Sequence, residues 1–338
     1  MMQKPCSCKI TALLLLLFSA GPAFAADPVL RPEDDKGIWT LEYENDIFTG
    51  TDSNYTNGER MAYLSPETTV PDWIEDMADS MPLFSKQGHK RWEAALGQSM
   101  FTPRDLQHIA AQANDRPFAG WLYATAGLMS DTGYKLDNLQ LTVGMVGPAS
   151  LAQQTQRWIH KSVVNDPIPQ GWANQLRDEP GIILSYERKW RKLYESTPFG
   201  IGTDITPSMG INLGNIYTDA SVGAMLRVGY DLPADYGPPI ITPNLTGSDF
   251  FVPQKDFGWY LFTGVQGKAV GRNIFLDGNT FVNSRSVDKY PFVGELEAGI
   301  VFTFNSLRVG YTQTFNTKEF VGQKQYNNFG AVTLSLRY

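Results

Sequence analysis

The chain has 338 residues, with 28 basic against 35 acidic side chains, a formal charge of −7, and only two cysteines. An acidic balance of this kind argues against nucleic acid as a partner. Both cysteines, Cys6 and Cys8, precede an apolar run at 13–18, so neither stands where an acylated lipoprotein cysteine belongs.

Residues 1–25 carry Lys4 and Lys9, the apolar run, and then "GPAFA", which ends in small residues. This pattern predicts a secretory signal cut before Ala26, too short to span a bilayer as a helix. Residues 26–338 are then one domain without cysteine, which excludes disulfides and thiol chemistry. Without Lys4 and Lys9, 26 basic residues face 35 acidic ones, a charge of −9. No later run of ~18 apolar residues follows, so any membrane crossing has to be made by strands.

Alternation of apolar and polar residues predicts twelve strands, at 37–48, 57–65, 91–101, 119–130, 135–147, 181–193, 200–214, 218–231, 257–270, 290–304, 306–316 and 328–338. In "LDNLQLTVGMV", Leu139, Leu141, Val143 and Met145 take one face, and Asn138, Gln140 and Thr142 the other. The last stretch, "AVTLSLRY", alternates in the same way and ends on an aromatic residue, as outer-membrane barrels commonly do. An even strand number lets both ends of the sheet meet on one side of a closed barrel. The mean hydropathy of −0.25 is unlike that of a helical membrane protein. The expected fold is all-β, a transmembrane antiparallel β-barrel, with a secreted β-sandwich as the alternative.

If the first strand starts in the periplasm, parity sends the polar run after strand 1, residues 102–118 and the insertion 148–180 to the outer rim. Short links such as 131–134 fall on the periplasmic side. Two long segments, 66–90 and 232–256, are placed there too. The first is expected to form a short amphipathic helix capping the barrel mouth, and the second an irregular Pro- and Gly-rich loop.

Strand 1 sorts Thr40, Glu42, Glu44 and Asp46 to one face and Trp39, Leu41, Tyr43 and Asn45 to the other. The aromatic face is the lipid face, so Glu42 and Glu44 line the interior and Asn45 emerges at the rim. Asn45, Asp46 and Asp52 are hard oxygen donors suited to calcium or magnesium, although their spacing is not that of an EF-hand.

Of the three histidines, His89 is expected to be solvated in a periplasmic turn and His108 to lie in an outer loop. His160 ends "LAQQTQRWIH", a helix-like stretch that places Gln156 one turn before it on the same face. A lone helical histidine more often packs than reacts, but a neutral imidazole is also the natural base for activating water. No G-x-S-x-G elbow is present.

The stretches "ENDIFTGTDSNYTNGERMAYLS", "GQSMFTPRDL" and "NDRPFAGWLY", with the helix ending in His160, resemble the lipid A 3′-O-deacylase family of outer-membrane proteins. The resemblance runs over essentially the whole chain after the signal. It implies a twelve-stranded barrel with a site at the outer rim, between the wall and a loop helix. The implied reaction is calcium-dependent hydrolysis of the ester that holds the 3′-acyloxyacyl chain of lipid A. By motif, Asn45, Asp46, Thr56 and His160 correspond to catalytic positions, Asp46 to a metal ligand and Gln156 to a substrate contact. The family binds substrate phosphate through a basic residue after its "TP" motif. This chain has Arg104 directly after Pro103 and no lysine in the following loop. The implied partners are lipopolysaccharide and membrane lipids, with a monomer in the outer membrane. A porin, a structural barrel and a phospholipase are the rival readings.

Overall fold

Alternating apolar and polar residues become twelve long antiparallel staves in the computed structural model, which describes residues 32–338 apart from 47–53, 111, 113, 165–166, 192–193, 198–199 and 242–247. The expected signal and Asp52 lie outside the described residues. The staves are β1 (Ile38–Asn45), β2 (Asn54–Leu64), β3 (His89–Thr102), β4 (Ala119–Asp131), β5 (Lys135–Val146), β6 (Glu179–Trp190), β7 (Ile201–Gly214), β8 (Tyr217–Tyr230), β9 (Phe257–Asn273), β10 (Phe292–Phe304), β11 (Leu307–Asn316) and β12 (Asn327–Arg337).

Each stave pairs with its sequence neighbours, and β1 also pairs with β12, Ile38 facing Arg337 on one side and Leu64 on the other. The sheet therefore closes on itself, and the β-sandwich is excluded. A short strand, Tyr194–Ser196, adds to β7 beside the β6 junction.

The two faces are inverted relative to a water-soluble protein. Leu41, Leu96, Leu141, Val222, Val265 and Leu334 project outward and are exposed, whereas Thr40, Glu42, Glu93, Gln266 and Thr333 are buried inside. An exposed apolar belt around a polar interior is the arrangement lipid requires.

Parity holds, but both long periplasmic segments depart from expectation. The first does form a helix, α1 (Asp72–Ser80), yet it does not cap the mouth. Its buried Ile74 and Ala78 pack with Phe84 against Leu128 and Tyr186, which lie on the outside of the wall. An apolar i, i+4 pair needs apolar partners, and the outer surface supplies them here, whereas the apolar residues of the inner wall are covered by the segment that fills the mouth. His89 is likewise not simply solvated: it opens β3, with Nδ1 3.5 Å from a Glu67 carboxylate oxygen.

The second segment is not a loose loop. It enters the barrel, pairs Ala234–Asp235 with Phe251–Val252, and buries Tyr236, Phe250 and Phe251 against Ile38, Leu64, Met129 and Leu136. Its anchor is Arg60 on β2, which holds Glu42 at 2.5 Å, Glu93 at 2.6 Å and Asp249 of the plug at 2.7 Å. Arg308 on β11 donates to the carbonyl oxygens of Ser248, Asp249 and Phe250 at 3.0–3.4 Å. Ile241 donates its backbone N–H to Glu44 at 2.8 Å. A Pro- and Gly-rich segment cannot satisfy its own backbone, so buried arginines and carboxylates on the wall do so.

The outer mouth is closed by aromatic packing. Tyr55 meets Phe101 at 5.4 Å and Phe329 at 4.9 Å, and Phe275 of the short helix α3 (Ile274–Asp277) stacks on Phe101 at 4.0 Å. With the plug anchored below and aromatic packing above a cavity lined by Arg60, Glu93, Tyr123 and Gln140, the protein reconstituted in planar bilayers is expected to show no steady ionic conductance. Open-channel steps in single-channel recordings would contradict the plugged interior.

The barrel seam is locked at its periplasmic end by Asp34, whose carboxylate takes hydrogen bonds from Arg91 at 2.6 Å and from Arg337. Burial pushes the Asp34 pKa up, but the two guanidinium groups outweigh it and hold it below the ordinary 3.8. A depressed carboxylate contributes stability above its unfolded pKa, and that contribution is lost as the pH falls through the folded value. Asp34→Asn is therefore expected to lower the urea midpoint at pH 7, with the difference from the parent protein shrinking below about pH 4.

Candidate active site

The polar residues that open β2 are placed by a fault in strand pairing. Between Tyr55 and Asn57 the β2–β3 register shifts, so Thr56 is an extra residue in the ladder. Tyr55 turns inward to the aromatic roof, while Thr56 Oγ1 meets Thr102 Oγ1 at 2.6 Å in a buried pair. Bulges of this sort re-aim side chains beside active sites. Strand β2 also begins at Asn54, three residues before the sequence pattern placed it, because the polar residues themselves continue the ladder. Asn45 ends β1 opposite Asn57. It is buried, its side-chain amide donates to Tyr43 Oη at 3.1 Å, and the adjoining Asp46 is 1% exposed.

The loop after β5 supplies the second half. It turns at Pro148–Ser150, passes Leu151 in the left-handed region at φ 61°, and forms α2 (Ala152–Ile159), which continues as one wide π-type turn over His160–Val164. The expected sharing of a face by Gln156 and His160 is observed, and both side chains are buried. Wide turns of this type frequently mark functional positions.

This helix lies against the outside of the wall, over β3 and β4. Ala152 is buried with Met100, Leu106, Phe118 and Trp172, and Gln98 donates to the Ser150 carbonyl at 2.6 Å. Such close approach depends on Gly120: a Cβ there would collide with Ser150 Oγ and the Ala152 methyl group. Below the helix runs a groove of about 490 Å³ whose lining includes Leu41, Glu59, Met61, Leu96, Leu122 and Thr155. It opens on the lipid side, not into the lumen.

His160 Nδ1 lies 2.9 Å from the Pro167 carbonyl oxygen. A carbonyl only accepts, so Nδ1 carries the proton and the basic lone pair is on Nε2. Trp172 Nε1 donates to Gln156 Oε1 at 2.7 Å. Arg104 stands apart, exposed at the loop. Its backbone N–H bonds Asp115 at 3.0 Å, and its side chain engages no partner among the described residues.

Asn45, Asp46, Thr56 and Thr102 offer carboxylate, amide and hydroxyl oxygens as ligands, a set that matches a hard cation such as calcium and not zinc. Among the described residues no three acidic, histidine or cysteine side chains form a group that could hold a metal ion by themselves. A metal here would therefore depend on Asp46 with amide, hydroxyl and backbone oxygens.

A family model described as outer membrane protein LpxR matches residues 10–338. The chain belongs to the LpxR family. This is the lipid A 3′-O-deacylase family, and it places the barrel in the outer membrane. LpxR from Salmonella typhimurium superposes with a TM-score of 0.71 at 17% identity, covering 88% of this chain and 99% of that one, which shows a shared fold. The β-domain of the Bordetella autotransporter BrkA gives 0.41 at 9% identity, over 91% of this chain and 99% of its own. An outer membrane channel from Pseudomonas putida F1 gives 0.38 at 10% identity, over 95% and 100%. These two likenesses are too loose to bear on function. No curated protein matches the sequence.

Sequence reading missed Thr102, Gly120, Pro167 and Trp172. Thr102 and Gly120 lie within the LpxR-like motifs "GQSMFTPRDL" and "NDRPFAGWLY", but nothing in their spacing shows that one meets Thr56 and the other admits a helix. Gly120→Val is expected to lift α2 from the wall and reduce any activity of the site at least tenfold, while the barrel still migrates as folded on unheated gels. Full activity in this variant would show that the docked helix is not needed.

Proposed function

We propose that the protein hydrolyses the ester linking the 3′-acyloxyacyl chain to the glucosamine disaccharide of lipid A. The observation that carries this reading is the side of the wall on which the groups lie. His160 and Gln156 sit on a helix docked to the lipid-facing surface at the outer rim, above a groove whose lining includes Leu41, Met61, Leu96 and Leu122, and the lumen is occupied by the plug. A substrate for this site reaches it through the outer leaflet, with an acyl chain along Leu41, Met61, Leu96 and Leu122.

His160 Nε2 takes a proton from water as the oxygen attacks the ester carbonyl, and the Pro167 carbonyl steadies the imidazolium that forms through Nδ1–H. The proton then passes to the departing sugar oxygen. Calcium, when bound, supplies positive charge to the developing oxyanion, and Asp46 with Asn45 would hold it. Thr56, fixed by Thr102, orients water or the carbonyl at the rim. Arg104, exposed on its loop while Arg116 is buried, is the guanidinium available to meet a sugar phosphate. A single chain carries all these groups, consistent with a monomer.

Refolded protein in detergent with calcium and hexa-acylated lipid A is expected to release one acyloxyacyl unit, read by product mass. Chelator and His160→Ala should each abolish the release. Intact lipid A throughout, with turnover of glycerophospholipid instead, would make the protein a phospholipase.

A further inference from the structure

Gln156 is 1% exposed, and its Nε2 makes no hydrogen bond among the described residues. A buried amide donor left unmade costs free energy unless something else takes it up. Which end of the amide is unmade is not arbitrary. Indole Nε1–H can only donate, so its 2.7 Å partner on Gln156 has to be Oε1, and Nε2 is turned the other way.

Trp172 is itself firmly held. It is 2% exposed, its ring lies 5.1 Å from that of Phe118, and the preceding Gly171 sits where any side chain would strike Phe118. Gln170 N–H donates to the Leu106 carbonyl at 2.8 Å, and Leu176 N–H to the Phe118 carbonyl at 2.9 Å. The same segment supplies the Pro167 carbonyl to His160. One strap, 167–172, thus fixes both the tautomer of His160 and the flip of Gln156, two residues on one helix face.

We propose that Trp172 is a positioning residue that locks Gln156 with Nε2 toward the reacting ester, where it donates to the carbonyl oxygen as negative charge develops. The proposal rests on the hydrolytic reading above and assigns the amide a direction that the helix alone does not impose. Without the indole N–H, Gln156 could present either end, and the oxygen end would repel the oxyanion.

The test is a double-mutant cycle on the full barrel with lipid A and calcium. Trp172→Phe and Gln156→Ala are each expected to lower kcat about a hundredfold, the scale for one oxyanion donor. KM should stay within about twofold and the pH profile should be unchanged, because His160 is intact. The double variant should be no slower than Gln156→Ala alone. Losses that multiply, or near-normal kcat in Trp172→Phe, would overturn the proposal.

A second readout does not depend on turnover. In protein labelled with 15N-tryptophan, the Trp172 indole N–H, assigned by its absence in Trp172→Phe, should shift and lose exchange protection in Gln156→Ala. A signal indifferent to Gln156 would refute the positioning bond. If that bond is present and the parent protein cleaves no lipid A, the hydrolytic reading fails and the role given to Gln156 fails with it.

Discussion

Inside a bilayer an unpaired peptide N–H or carbonyl has no water to bond, and this constraint shapes the whole molecule. Twelve staves satisfy it by closing into a ring in which β1 meets β12, so no sheet edge is left in lipid. Closure also sorts the side chains, sending apolar residues to the membrane and polar ones inward. Reactive groups can then stand in the lumen or at the rims. Here the lumen is taken: Arg60 gathers Glu42, Glu93 and Asp249 around itself, and the aromatic residues above it shut the mouth.

A filled lumen is common ground between stability and function. Each carboxylate around Arg60 would be costly to bury alone, and removing one partner from such a set typically costs about 3–5 kcal/mol. The plug is thereby tied to the wall, and the candidate site lies on the opposite surface. There the bulge at Thr56 and the small residue at Gly120 do complementary work. One pairs the hydroxyls of Thr56 and Thr102 at the rim, and the other lets a helix lie close against β3 and β4.

Much of this was legible in the sequence. Period-two alternation, as in Val332, Leu334 and Leu336, fixes stave after stave, and the i, i+4 spacing of Gln156 and His160 correctly puts them on one helical face. The plug was not legible, because Pro233, Pro238 and Pro239 break any period and its anchor lies 189 residues away in Arg60. The cap assigned to α1 failed for a related reason: its apolar stripe was visible, but whether its partner was lumen or outer wall depends on the tertiary arrangement. In the candidate site, single residues were visible and pairings were not. Thr56 was seen without Thr102, and Gln156 without Trp172.

The docking of α2 on the wall has a further consequence. The barrel is a continuous ladder of backbone bonds, whereas the loop that carries His160 is held by local packing and a few side-chain bonds, such as Gln98 to Ser150. These two parts do not share one stability. Mild heat or a harsh detergent can peel the loop away while the staves remain shut, leaving a molecule that passes every test of barrel integrity and has lost its candidate site.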